Sequence, residues 1–164
     1  IQAVSKLNEN DREKIHLNIV GEGPYLGFIH QLIDNLELNQ YISCHGRLND
    51  DVLDAMFSRC QVHIMPTTRQ EGLPLTILEG MSYGLATIAS DIGGISGVIT
   101  HEYDGFLIKP GNVDELTKVL AKIINDEEKR ESTGRNGRGT ILEKYSKERM
   151  VNETLHEIIK VVES

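Results

Sequence analysis

The chain has 164 residues, enough for one domain with a substantial core, and its 39% apolar content without low-complexity tracts fits a globular protein. A net charge of −8 argues against nucleic acid as the main partner, because binding a phosphate backbone needs a basic face. A single phosphorylated ligand needs only local donors and stays open.

In chain order, short β-branched or apolar runs alternate with helical patterns. "KIHLNIV" (14–20) reads as a strand, followed by a helix over 24–38; "YISCHG" (41–46) is a second strand, followed by a helix over 50–59. "CQVHIMP" (60–66) precedes a helix over 74–84. "LATIAS" (85–90) precedes a short helical piece near 94–99, and "GFLIKP" (105–110) ends the alternation. Helices alone follow, over 112–125, 127–144 and 147–163. This order predicts βαβ units and an α/β, doubly wound, mostly parallel sheet covered on both faces, in one domain spanning 1–164. No apolar run is long enough to cross a membrane, and the first residues lack the basic-then-apolar order of a leader, so the expected location is cytoplasmic. Cys44 and Cys60 form no CxxC and read as two inert thiols in a reducing compartment. The six histidines form no HxH or HxxxH pair, so no metal site is expected.

Open parallel sheets bind ligands at the carboxyl ends of their strands, near helix N-termini. That rule selects Gly21–Pro24, Gly46–Leu48, Pro66–Leu75 and Ser90–Gly94. "GEGP" (21–24) has two glycines, so it is not the GxGxxG dinucleotide fingerprint. It reads either as a tight turn or as a ligand contact through Gly21 and Glu22. "HGRL" (45–48) is favoured as structural, with a turn at Gly46 and Arg47 as a surface charge. "DIGGI" (91–95) is favoured as a turn.

"EGLPLTILEGMSYG" (71–84) carries most information. Pro74 suits the first helical position, so free amides near Leu73 and Leu75 would face the strand-end cleft and suit a phosphate. Glu71 precedes that helix end. Leu75, Leu78 and Met81 are expected to form the buried stripe, which leaves Glu79 at its edge. A long acidic side chain there needs partners. Two acceptor-only carboxylates flanking an amide-rich helix end can each grip a vicinal diol, with phosphate between them. The spacing fits a nucleotide sugar.

At this point the chain resembles the carboxyl-terminal, donor-binding half of a family-4 (group 1) glycosyltransferase of the GT-B fold. "LNIVGEGP", "ISCHGRLNDDVL", "VHIMPTTRQEGLPLTILEGMSYGLATIASDIGGI", "HEYDGFLIKPGNVDELTKVL" and "GRNGRGTILEKYSKERM" follow the family's order over essentially the whole chain. The resemblance implies that Glu71 holds hydroxyls of the donor sugar and Glu79 the ribose of the nucleotide. It places the amides of Gly72, Leu73 and Leu75 against sugar and diphosphate, and borders the base with Gly46, Arg47 and Leu48. Many members have Gly where this chain has Pro74, which removes one backbone donor. The resemblance begins in the helix at "IQAVSKL". The family's central strand, its diphosphate-clamping Arg and Lys, and the acceptor-binding amino-terminal domain would all lie before Ile1. The flanking strands at about 15–20 and 61–65 are therefore expected to pair directly, or to receive a strand from residues beyond these or from another molecule.

The expected function is donor binding in a retaining, metal-independent transferase that moves a hexose from a nucleoside diphosphate sugar to a glycan, lipid or other hydroxyl acceptor. No cofactor is expected beyond the donor. Acceptor and membrane contacts, including any peripheral association with the inner face of a membrane, would come through the amino-terminal half. The alternatives are a GT-B epimerase or phosphorylase, and a non-catalytic binding module; an NAD-binding domain is disfavoured by the third glycine that "GEGP" lacks. The terminal helix, 147–164, carries an apolar stripe of Met150, Val151, Leu155, Ile158, Ile159 and Val162. Its first turn is expected to pack on this domain. The remainder would brace the amino-terminal domain, so here it should self-associate or be mobile.

Overall fold

Residues 1–70 and 72–162 are described by the computed structural model; Glu71 and residues 163–164 lie outside the description. Among the described residues the alternation resolves into five strands, β1 (Leu17–Ile19), β2 (Ile42–Cys44), β3 (Val62–Met65), β4 (Ala86–Ser90) and β5 (Phe106–Ile108). The helices are α1 (Gln2–Ser5), α2 (Glu9–Arg12), α3 (Leu26–Asn35), α4 (Asp50–Phe57), α5 (Leu75–Ser82), α6 (Val113–Asn125), α7 (Glu127–Lys144) and α8 (Lys147–Val162). A 3-10 turn over Gly93–Gly97 stands where a short helical piece is expected.

Local chemistry sets the helix starts. α2, α4, α6 and α7 begin after Asn8, Asn49, Asn112 and Asp126, whose side chains accept the amides of Asp11, Val52, Glu115 and Lys129. α5 is built differently. Pro74 takes its N-cap position, with φ −64° and ψ 121°, and gives the first turn no side-chain cap of its own. The first amides of a helix need partners from outside it.

All strand pairing is parallel, and it falls into two pieces. β1 pairs with β2, in the register Leu17 to Ile42 and Ile19 to Cys44. β3, β4 and β5 form the second sheet in that order, with Val62 opposite Ala86 and Ile88 opposite Phe106. β4 lies between two strands and is buried at every residue. Ile88, Phe106, Ile108, Leu120 and Ile123 form a core with Ala3 and Leu7 on one face; Ile77, Met81, Ala89, Ile95 and Ile141 form another. A third core, around Val4, Ile33, Leu38 and Ile42, supports β1 and β2.

Of the three alternatives for the flanking strands, direct pairing of β1 with β3 is not adopted. Leu17 N–H donates to Tyr41 O, Ile19 O accepts from His45 N–H, and Gly21 N–H donates to Gly46 O. These residues turn their backbone groups to β2, so those of His16, Asn18 and Val20 turn the other way. On β3, Gln61 O accepts from Ala86 N–H, so Val62 and Ile64 likewise turn away from β4. The two edges face a common cavity of about 720 Å³. Val4, Leu120 and Ile123 line it from one helical layer and Leu53, Met56 and Phe57 from the other. β1 and β3 form no ladder with each other.

Two further expectations are corrected. α8 has no buried residue, so its first turn does not pack on the domain; Met150, Leu155, Ile158 and Ile159 are all exposed. On α5 the buried positions are Ile77, Gly80 and Met81, while Leu75 is 71% exposed. Leu75 opens the helix beyond the edge of the sheet, where no second layer stands over it.

Candidate functional site

The carboxyl ends of β1 and β2 bring five of the expected residues together. Gly21 has φ 128° and Gly46 φ 63°, conformations that suit glycine, and the Gly21 N–H donates to Gly46 O at 2.7 Å. This bond ties the two loops together. Glu22 and Arg47 then stand side by side, with Oε1 and Nη1 3.9 Å apart and both side chains largely in water. Leu48 is half-buried behind them, ahead of the Asn49 cap of α4.

The second group stands beyond β3. The Gly72 carbonyl packs directly on Gly94, where an added Cβ would lie 1.7 Å from the oxygen. Only glycine at 94 permits this approach of the loops after β3 and β4, so "DIGGI" serves a packing purpose as well as a turn. Leu73 is half-buried against the core that contains Ile77 and Ile95, which anchors the chain before Pro74. Leu75 projects outward and contributes only backbone to the site. Glu79 is exposed and lines the cavity together with Thr76 and His63. Glu71 lies outside the described residues, so its relation to Glu79 is not part of the geometry.

Of the expected residues that the structure describes, only Glu79 lines the cavity between the sheets; Gly21, Glu22, Gly46, Arg47, Leu48, Gly72, Leu73 and Leu75 are not in its lining. Val20, just before Gly21, lines it with Met65, Thr76 and Glu79. The cavity also runs down to Lys14, Arg59 and Gln61 at the opposite end of the strands, so only its carboxyl mouth matches the expected site. Glu79 is the carboxylate that lines it, beside Thr76 in the first turn of α5. Such a mouth can accept hydroxyl donors at Glu79 and offer amides to an anion. Among the described residues, no group of three or more His, Cys, Asp or Glu could hold a metal ion.

Two residues near Glu79 escaped the sequence reading. His63, on β3, is largely buried, and desolvation pushes its pKa down to about 4, so the ring is neutral near pH 7. Its Nε2 lies 3.3 Å from Thr76 Oγ1. The polar letter inside the apolar run "VHIM" was the available signal.

The sequence profile described as "Glycosyl transferases group 1" matches residues 1–140. The chain belongs to the group 1 glycosyl transferases. An uncharacterized glycosyltransferase of Methanocaldococcus jannaschii is 27% identical over 156 residues, which cover 95% of this chain and 39% of that protein. The chain thus spans about two-fifths of that relative's length. Among solved structures, Anabaena HepE in complex with UDP superposes with a TM-score of 0.85 at 22% identity, over 97% of this chain and 43% of HepE. The same protein is also known with UDP and glucose and with UDP-glucose. The carboxyl-terminal domain of a group 1 glycosyl transferase, LpcC of Francisella tularensis, superposes with a TM-score of 0.71 at 18% identity. That match covers 89% of this chain and 98% of the LpcC domain. This group 1 chain therefore has the Rossmann-like fold of a GT-B carboxyl-terminal domain. No described helix is long and apolar enough to cross a membrane.

Proposed function

We propose that this chain is the donor-binding domain of a retaining, metal-independent glycosyltransferase that moves a hexose from a nucleoside diphosphate to a hydroxyl acceptor. The observation that supports the reading is that Glu79, on α5, lines the cavity between the two sheets. Val20, the residue before Gly21, lines the same cavity. In this reading Glu79 accepts hydrogen bonds from the ribose hydroxyls. The amides of Gly72, Leu73 and Leu75 face the diphosphate and sugar, with the partial positive end of α5 behind them. Gly46, Arg47 and Leu48 border the base, Gly21 and Glu22 close the same side, and Glu71 orients the sugar.

Catalysis rests on holding the donor in register and stabilising the departing diphosphate in a water-poor cleft. That cleft needs a second domain, which would bring the acceptor glycan or lipid and any contact with a membrane. The chain alone is expected to be inactive in transfer, and to bind nucleotides weakly because of its net charge of −8 and because the family's two diphosphate-clamping cations lie outside it; α8 is expected to pack on a second copy or to be mobile. The natural setting of such chemistry is the cytoplasm, where nucleotide sugars are made.

Calorimetry of the full-length protein with UDP-, GDP- and ADP-sugars, repeated with EDTA present, tests the assignment. Glu79→Ala is expected to weaken the preferred nucleotide by about 1–3 kcal/mol, the scale of a lost charged hydrogen bond. Unchanged affinity removes the ribose role, and loss of binding or transfer on chelation removes metal independence.

A further inference from the structure

The imidazole of His63 lies flat along one turn of α5. Its Nε2 meets Thr76 Oγ1 at 3.3 Å, and its other end faces Gly80, four residues on. A Cβ added at Gly80 would stand 2.6 Å from Cγ and Nδ1 of the ring and 2.9 Å from the His63 Cβ. These atoms are the root of the side chain, fixed by β3, and cannot swing aside as a flexible tip could. Phe57 of α4 closes the ring from another direction, edge-on at 5.9 Å, and itself stacks on Tyr83 at 5.3 Å. Glu79 is the residue next to the Gly80 notch.

We propose that His63, seated in the notch left by Gly80, is a positioning residue that fixes where Glu79 stands at the mouth of the cavity. The inference rests on the donor reading of Glu79 given above. α5 has only eight residues; Ile77 and Met81 bury one side of it in the core, and Gly80 meets β3 on the other. The depth at which it docks on β3 is set where helix backbone meets imidazole. The ring acts as a neutral spacer: burial holds it uncharged near pH 7, and Nδ1 has no hydrogen-bond partner among the described residues. A methyl group at position 80 would lift this turn from the sheet and carry Glu79 with it. Removal of the ring would let the turn sink.

The test is UDP, GDP and ADP titrated in turn into the 164-residue chain to millimolar concentration, followed by NMR, with a folded amide spectrum required of each variant. Gly80→Ala is expected to weaken binding of the tightest of them about as much as Glu79→Gln does, roughly tenfold or more. Gly80→Ala added to Glu79→Gln should then cost nothing further, because both act on one interaction. His63→Ala/Gly80→Ala, in which the methyl enters the space of the ring, should recover most of the loss. Additive losses from Gly80→Ala and Glu79→Gln overturn the proposal, as does full affinity in Gly80→Ala. Where Gly80→Ala does not fold, His63→Ala takes its place in the same cycle and is judged in the same way. A Glu79→Gln variant with unchanged affinity, or a wild type that binds none of UDP, GDP and ADP, defeats the donor reading instead. The positioning role is then judged by the Glu79 amide and side-chain resonances. They shift in Gly80→Ala and return in the double variant if it holds, and stay in place if it does not.

Discussion

The two sheets differ in what surrounds them. β4 has a strand on each side and helices on each face, and all five of its residues are buried. β1 has one paired edge, and its three residues are only partly buried. One face of the β1–β2 pair packs Leu17 and Ile19 on the third core. The other carries the polar cross-strand pairs His16 with Ser43 and Asn18 with His45, each at 2.8 Å and exposed. The difference is written in the sequence: "LATIAS" is almost continuously apolar, whereas "KIHLNIV" alternates. A strand's own pattern reports how many of its faces are covered. It does not report whether its edges are.

The largest test of the comparison fills the cavity between the sheets. An apolar five-residue strand fused ahead of Ile1 and running parallel to β1 would enter α1 by the right-handed crossover such units adopt. It would also satisfy the outward groups of His16, Asn18, Val20, Val62 and Ile64. The melting temperature is expected to rise by about 10 °C or more, the scale of several hydrogen bonds and buried side chains together. An unchanged melting temperature would mean that the edges are already satisfied. A second test contrasts the cores: Ile88→Ala, in fully buried β4, should cost about 4 kcal/mol, and Ile19→Ala, in β1, about half that. Equal costs in urea unfolding would erase the distinction between the sheets.

A third test uses pH. His63 has a lower pKa folded than unfolded, so the unfolded chain takes the proton first as pH falls. Stability linked to this group is complete above pH 6.5 and is lost progressively toward pH 4. The difference from His63→Phe should grow by on the order of 3 kcal/mol across that interval. A parallel pH course for the two proteins would show that the ring is solvated in the native state.

Much of this fold was legible because its signals are local. Asn49 and Asn112 announce helix starts, Gly21 and Gly46 announce turns, and every strand falls inside its apolar run. The misreadings arise where neighbours distant in sequence decide. Leu75 fits a helical stripe by spacing, yet its place beyond the sheet edge leaves it in solvent, and Gly80 is buried because His63 needs the room. The apolar stripe of α8 gives no hint of its partner, and within this chain it has none of the burial expected of its first turn. At the site, Gly21 and Gly46 were legible as strand-end turns, whereas their mutual contact and the His63–Thr76–Gly80 arrangement needed three-dimensional packing.

The central claim is that the carboxyl mouth between the two sheets holds the nucleotide, with Glu79 on one bank and the Gly21 and Gly46 loops on the other. An amide-resolved NMR titration of the chain with UDP tests it most directly. The account predicts saturable shifts at Gly21, Glu22, Gly46, Arg47, Gly72, Leu73 and Glu79, on both banks together. Shifts confined to α8, or to Lys14, Arg59 and Gln61 at the opposite end of the cavity, would contradict it.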